Sequence, residues 1–415
     1  MRINRDRLMD ALEQLARIGA YEDAGFRGVR RLALTDEDAA ARRLVIDWYK
    51  DAGLTVNTDA IGNTYADRPG KDNTLQPVMA GSHVDSVPTG GRFDGVLGVL
   101  SALETVRTLN DNNITTNHPL TIAFFTDEEG CRFGTDMLGS AVATGRIPLE
   151  KALRLTDADG RTVGEELERI GFNGPEPVNQ RRPAAFVECH VEQGPILARE
   201  GFDLGVVTGV QGISWRRLTI TGAAAHAGAT PMNYRKDAGL AAARINVEIR
   251  RMCDSGDFGP DMRATMGVIR PEPGSVNVIP GRVVATVDLR NPDEKALEAA
   301  ENALDQFIEK LAADAGLHIT SEQTARTPPV AFDEKVQTVI AAVADDLGLK
   351  HRPIIAGAGH DAQEWSRLCP TAMIFTPGEN DGISHNPREL STPKQCGDAA
   401  DALCNTILRL AGADA

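Results

Sequence analysis

Several things are missing from this chain, and each absence narrows what it does. Its six cysteines, at 131, 189, 253, 369, 396 and 404, include no CxxC pair. In 415 residues they read as reduced thiols, not as a disulfide framework. No apolar run is long enough to span a bilayer, and the N-terminus carries charges through Arg7 where a signal peptide needs an apolar core. No internal repeat or low-complexity tract is evident. Positive charge is in deficit, with 44 Lys and Arg against 59 Asp and Glu and a net charge of −15. That balance argues against nucleic acid or an anionic membrane as partner. The expectation is a cytoplasmic enzyme with two or more packed domains, since 42% of the residues are hydrophobic.

What is present alternates. Leu8, Leu12, Leu15 and Ile18 have helical spacing. Gly19 to Leu34 reads as irregular. Thr35 followed by Asp38 starts a second helix, which ends near Gly53. Short strands are predicted at 54–56 and 63–65, and buried ones at Val78–Ala80, Leu120–Phe125, Ala184–Val187 and Ala372–Phe375. Helices are predicted from Val96 to Leu109, Lys335 to Leu347 and Pro393 to Leu410. Strands and helices in alternation imply an α/β sandwich around a mostly parallel sheet. From about Gly212 the pattern changes to strands at 214–221, 264–269 and 282–289 with helices at 237–251 and 293–315. That segment reads as an inserted α+β domain over 212–328, within a main domain of 1–211 and 329–415.

The chemistry-bearing residues follow the apolar runs. His83 and Asp85 stand two apart and share a face of a strand. Asp85 is thereby placed to reach behind the His83 ring and fix its tautomer. Asp94 lies at a strand-to-helix junction, where a carboxylate can bridge two cations. Asp127, Glu128 and Glu129 crowd one strand end. Acids are common at solvated helix starts, but three in a row after a buried strand also call for cations. His190 and His385 follow two further runs; Cys189, on the opposite face from His190, is taken as structural. In an open α/β sheet, ligands gather beyond the carboxyl ends of the strands. His83, Asp94, Glu129, His190 and His385 then form a borderline ligand set suited to Zn, Mn, Co or Ni more than Ca or Mg. Glu128 is left as the general base. His118, His318 and His351 are assigned to surface or structure.

The ordered set HxD, GGRFDG, EEG, HVEQG, GAAAHAG, GAGHDA and ISHNP resembles the M20-type dinuclear metallohydrolases. Within them it resembles the branch of N-carbamoyl-L-amino acid hydrolases, β-ureidopropionases and allantoate amidohydrolases. The likeness runs from Leu34 to Leu410. His190 carries the branch assignment, because peptidases and deacylases of the wider family usually have a carboxylate there. The resemblance implies two divalent ions, one held by His83 and His190, the other by Glu129 and His385, with Asp94 between them. It implies that the inserted domain is a lid and dimerisation domain, that the protein is a homodimer, and that the partner chain can complete a site. His226 and Asn277 are then expected at the scissile carbonyl, and Arg290 at the substrate carboxylate. Gln193, Gly359 and His360 are expected along a small anionic substrate. The implied activity is hydrolysis of an N-carbamoyl-L-amino acid to amino acid, CO2 and ammonia. Alternatives are allantoate or N-carbamoyl-β-alanine as substrate, an aminoacylase or peptidase of the wider family, and an inactive metal-binding relative.

Overall fold

The computed structural model describes residues 1–412. By its internal contacts the chain divides into two units, Met1–Gly209 with Ala331–Ala415, and Val210–Val330.

In the first unit the central strands are apolar on both faces, and each is buried along its whole length. They need cover on both sides, which a parallel sheet between helices provides. Four of them run parallel in the order Thr371–Thr376, Ala185–Val191, Val78–His83, Leu120–Phe125. Antiparallel strands flank them: Leu204–Val210 on one side, Thr64–Arg68 and then Thr55–Thr58 on the other. The register aligns His83 with Phe125, and His190 with Phe375. The carboxyl ends of all four parallel strands therefore open at one rim.

Helices Val96–Asp111 and Pro393–Leu410 cover the sheet. The first is buried on nearly every side, through Leu97, Val99, Leu100, Leu103 and Val106. Truncating one such leucine to alanine is expected to cost about 2–5 kcal/mol. The second starts in a capping box between Thr392 and Gln395, with Pro393 in its first turn. Elsewhere Phe125, Phe186 and Trp365 pack with ring centroids 5.8–6.0 Å apart.

Two local expectations are corrected. The segment read as irregular contains a hairpin, Ala20–Asp23 with Phe26–Val29. Its turn places both Ala24 and Gly25 at positive φ, 49° and 81°, as a twisted two-residue turn requires. Thr35 does cap helix Asp36–Asp51 by accepting from the Asp38 amide, but Asp38 Oδ2 accepts from the Leu34 amide, not from that of Thr35.

The second unit is a four-stranded antiparallel sheet with two helices, Ala238–Asp254 and Glu294–Ala315. Strand order is Arg263–Glu272, Arg282–Asn291, Gly212–Thr221, His318–Thr327. Arg282–Asn291 alternates buried and half-buried positions after Arg282, as a sheet with one covered face demands. Val283, Val287 and Leu289 meet Ile245, Ile249, Leu304 and Ile308 in one core. The fourth strand was not expected from the sequence. It reads HITSEQTART, lies at an edge and buries little.

Candidate metal centre and active site

His83 ends its strand with the ring 1% exposed. Its Nε2 lies 3.4 Å from Asp94 Oδ1 and 3.6 Å from Glu128 Oε2. The Nδ1 behind it faces the backbone carbonyl of Asp85 at 3.0 Å, while the Asp85 carboxylate stands off at 3.9 Å. The chain bends after His83, so the carbonyl holds the ring and the carboxylate turns elsewhere. Its two oxygens accept from the amides of Glu128 and Glu129, each at 3.3 Å. Asp85 thus braces the turn that carries the two glutamates.

His190 is equally buried, and its Nδ1 meets the Val191 carbonyl at 2.9 Å. In both rings the backbone carbonyl selects the tautomer with a proton on Nδ1, which turns Nε2 into an acceptor; His190 Nε2 accepts from the Gly95 amide at 3.1 Å, while His83 Nε2 has no hydrogen-bond partner. Gly95, at φ 65°, permits the approach of the Asp94 turn; a Cβ there would stand 2.4 Å from the His83 ring.

Asp94 divides its carboxylate. Oδ1 faces His83 and, at 3.2 Å, His190 Nε2. Oδ2 faces His385 Nε2 at 3.5 Å and accepts from Gln193 Nε2 and Ser384 Oγ, both at 2.7 Å. His385 Nε2 is also 3.2 Å from Glu129 Oε2. Two groups of three donors result, His83–Asp94–His190 and Asp94–Glu129–His385, and each has ligand atoms within 4.8 Å of one another. Asp127, Gln193 and His385 all hold positive φ, at 54°, 58° and 54°. Strained non-glycine backbone of this kind is concentrated at functional sites.

The rim is crowded with buried acids. Asp85, Asp94, Asp127, Glu128, Glu188 and Asp361 are all buried around this rim. Burial pushes the Glu128 carboxyl well above the usual carboxylate range, with Asp361, Glu129 and Asp94 adding to it against His83. Burial opposes the His83 imidazolium, yet Glu128, Asp94 and Asp85 raise its pKa well above the ordinary value. For His385 the Glu129 hydrogen bond dominates and lifts the pKa to about 9. His83 Nε2 and Glu129 Oε1 are buried without a hydrogen-bond partner. Two groups of three imidazole and carboxylate donors, with a nitrogen of one and an oxygen of the other left without a partner, fit divalent transition ions.

His360 packs against His190 with centroids 4.4 Å apart and the rings tilted by 56°, and its buried Nε2 lacks a partner. Burial, with His190 nearby, holds its pKa well below the ordinary value, so the ring is neutral. A third group, Glu188–His190–His360, also has metal-ligand spacing. In it Glu188 already accepts from Ser82 Oγ at 2.6 Å and the Ala362 amide at 2.8 Å. Gly359 lies against Met137. Cys189 is buried within the strand.

In the second unit His226 is exposed on a two-residue strand paired with Val278–Ile279. Its Nδ1 accepts from the amides of Gly228 and Ala229, both at 3.1 Å. With Nδ1 accepting, Nε2 bears a ring proton and is the donor. Asn277 is exposed, with Oδ1 accepting from Ser275 Oγ at 2.9 Å. Arg290 is not a bare anion receptor. Its Nη2 is 2.9 Å from Asp288 Oδ2, a pairing that sequence spacing did not reveal.

Sequence reasoning also missed Ser384 and Glu389. Glu389 is 5% exposed and accepts from the amides of Phe93 and Asp94, at 2.7 and 3.1 Å. Its signal is faint: an acid four positions beyond a ligand-type histidine.

The sequence profile described as Peptidase family M20/M25/M40 matches residues 79–409. The N-carbamoyl-L-amino-acid amidohydrolase of Rhizobium meliloti is 42% identical, over 99% of this chain and 97% of its own. The allantoate amidohydrolase of Bacillus subtilis (strain 168) is 32% identical, over 98% of both. Among solved structures, an amidase of the hydantoinase/carbamoylase family from Burkholderia multivorans has a TM-score of 0.96 at 45% identity. That likeness covers 99% of this chain and 98% of the other.

Proposed function

Since this chain belongs to peptidase family M20/M25/M40, we propose that it is a metal-dependent amidohydrolase acting on N-carbamoyl-L-amino acids. It cleaves the ureido C–N bond with water and yields amino acid, CO2 and ammonia. The observation that carries the reading is the divided carboxylate of Asp94, one oxygen toward His83 and His190 and the other toward His385. The relatives named N-carbamoyl-L-amino-acid amidohydrolase supply the substrate class.

His83 and His190 would hold one divalent ion and Glu129 and His385 a second, with Asp94 offering a carboxylate oxygen to each group. Zn, Mn, Co and Ni all suit this set. Such ions, when bound, supply Lewis acidity that lowers the pKa of a water from about 15.7 toward roughly 7. Glu128 takes the proton of the attacking water and returns it to the leaving nitrogen. His226 donates Nε2–H to the developing oxyanion, a contact typically worth about 3 kcal/mol. Asn277 joins His226 at the scissile carbonyl, and Gln193, Gly359 and His360 are assigned along the substrate. Arg290 receives the substrate carboxylate as a planar fork, with Asp288 setting the plane of its guanidinium.

The protein acts as a homodimer through the second unit. Leu240 and Val247 are exposed on one helix there, 49% and 70%, and strand Arg263–Glu272 is an open edge. Its place is the cytoplasm, which suits six free cysteines. No helix among the described residues is long and apolar enough to cross a membrane.

The test is ammonia release by metal-loaded protein against N-carbamoyl-L- and D-amino acids, N-carbamoyl-β-alanine, allantoate and N-acetyl-amino acids, with amino-acid release followed in parallel. Turnover of the N-carbamoyl-L compounds is expected to exceed the rest. Preference for allantoate moves the protein to the neighbouring activity. Turnover of the acetyl compounds alone removes the ureido assignment.

A further inference from the structure

Glu389 occupies an unusual position for a buried acid. Its carboxylate meets two backbone amides and one serine hydroxyl, and none of them is a cation. Oε1 accepts the amides of Phe93 and Asp94, and Oε2 accepts Ser384 Oγ at 2.7 Å. All three belong to segments that carry the candidate metal ligands Asp94 and His385. Ser384 Oγ in turn lies 2.7 Å from Asp94 Oδ2. A hydroxyl has one proton, so Ser384 serves one carboxylate at a time.

The approach is built into the backbone. A Cβ at Gly91 would fall 2.3 Å from Glu389 Oε1 and 2.4 Å from its Cβ, so only glycine admits the side chain. The loop that needs holding is the strained one. His385 sits at φ 54°, half exposed and off the sheet. His83 and His190, by contrast, stand on strands with backbone carbonyls behind their rings.

We propose that Glu389 is a positioning residue. It clasps the Asp94 turn to the Ser384–His385 loop and thereby sets the Asp94–Glu129–His385 group for its divalent ion. The inference rests on the two-ion reading above. Glutamine at 389 is the discriminating substitution. Its oxygen still accepts the two amides, and its NH2 donates to Ser384 Oγ, which frees the Ser384 proton for Asp94. Alanine removes the clasp altogether.

The experiment is calorimetric titration of metal-stripped full-length protein with Mn2+, beside thermal melts of the stripped forms. Wild type is expected to bind two ions per chain. Glu389→Ala is expected to weaken one of them by about tenfold or more, the range seen when partners of metal ligands are removed. The other ion stays within about threefold, and Glu389→Gln leaves both near wild type. Two ions bound by Glu389→Ala with wild-type affinity overturns the proposal. So does equal weakening of both ions, or a Glu389→Gln protein as weak as the alanine form. If Glu389→Ala does not fold, Ser384→Ala carries the test: selective weakening of the same ion supports the clasp, and unchanged binding overturns it. Wild type binding fewer than two ions overturns the two-ion reading itself, and this inference with it.

Discussion

The two halves of the candidate metal centre are held in different ways. His83 and His190 stand on adjacent parallel strands, 1% exposed, each ring fixed from behind by a carbonyl. His385 stands on a loop, 46% exposed by its side chain, at positive φ. The rigid half takes its geometry from the sheet, which the whole first unit stabilises. The loop half takes its geometry from a few hydrogen bonds that stabilise nothing else. The sheet-held group should therefore bind its ion with little further ordering, and the loop-held group should be the one that loads, exchanges and fails first.

The largest expected effect tests whether either half works without the base between them. Glu128 Oε2 is 3.6 Å from His83 Nε2, yet the proposed role makes it no ligand. Glu128→Gln is expected to retain both ions and the melting temperature while turnover falls about 10²–10⁴-fold. Metal analysis and initial rates on one preparation decide it. Turnover within a few-fold of wild type takes the base away from Glu128.

Next come the ligands themselves. His190→Ala opens a cavity beside His360 and Phe375 and leaves Asp94 facing a lost partner. It is expected to lose the sheet-held ion and to lower stability by several kcal/mol, about 3–5 by analogy with breaking a buried pair. His385→Ala is expected to weaken the loop-held ion at least as much while the melt of the metal-free protein shifts little. Equal melts for the two variants break the comparison.

Much of this contrast was legible in the sequence. A buried parallel strand reads as a short apolar run, and the residues just past its carboxyl end bear chemistry for a topological reason. His83, Glu129 and His190 were found that way. The illegible part depends on contacts between distant segments or on unusual backbone. Ala24 adopts positive φ against its residue type, which hid the hairpin 20–29. Strand His318–Thr327 is polar because it is an edge, so its composition gave no period to read. Asp85 was placed by spacing, but the bend after His83 is a property of the folded chain, and so is the Asp288 partner of Arg290. The Glu389 contacts join residues nearly 300 positions apart, and no local pattern announces them.

Proton competition sharpens the same comparison. The Glu129 hydrogen bond raises the His385 pKa to about 9, above the ordinary 6.5. In the metal-free protein the ring is therefore charged below about pH 9, and an ion must displace that proton. Apparent affinity at the loop-held group is expected to rise about tenfold per pH unit between 6.5 and 9, then level off. The sign is opposite for the metal-free fold. Stability from the charged ring is fully present below 6.5 and is lost as pH rises through about 9; the ring's exposure keeps this contribution small. Titrations at several pH values, with matched melts of the stripped protein, report both. Affinity that does not change with pH would show that His385 carries no proton to displace.

The smallest effect is the most selective. Thr89 is exposed, and its hydroxyl donates to the His385 carbonyl at 3.1 Å. It touches no ligand atom, and nothing in the sheet depends on it. Thr89→Val keeps the shape and deletes the donor. A single neutral hydrogen bond contributes about 0.5–1.5 kcal/mol net, and exposure puts this one at the low end. The loop-held ion should weaken about two- to fourfold, with the sheet-held ion and the melting temperature unmoved. If the loop were as rigid as the strands, deleting one peripheral tie would be absorbed and neither ion would change. If the two groups were one cooperative unit, both ions would weaken together. Only a loop held by a handful of separable contacts gives a small loss on one side alone.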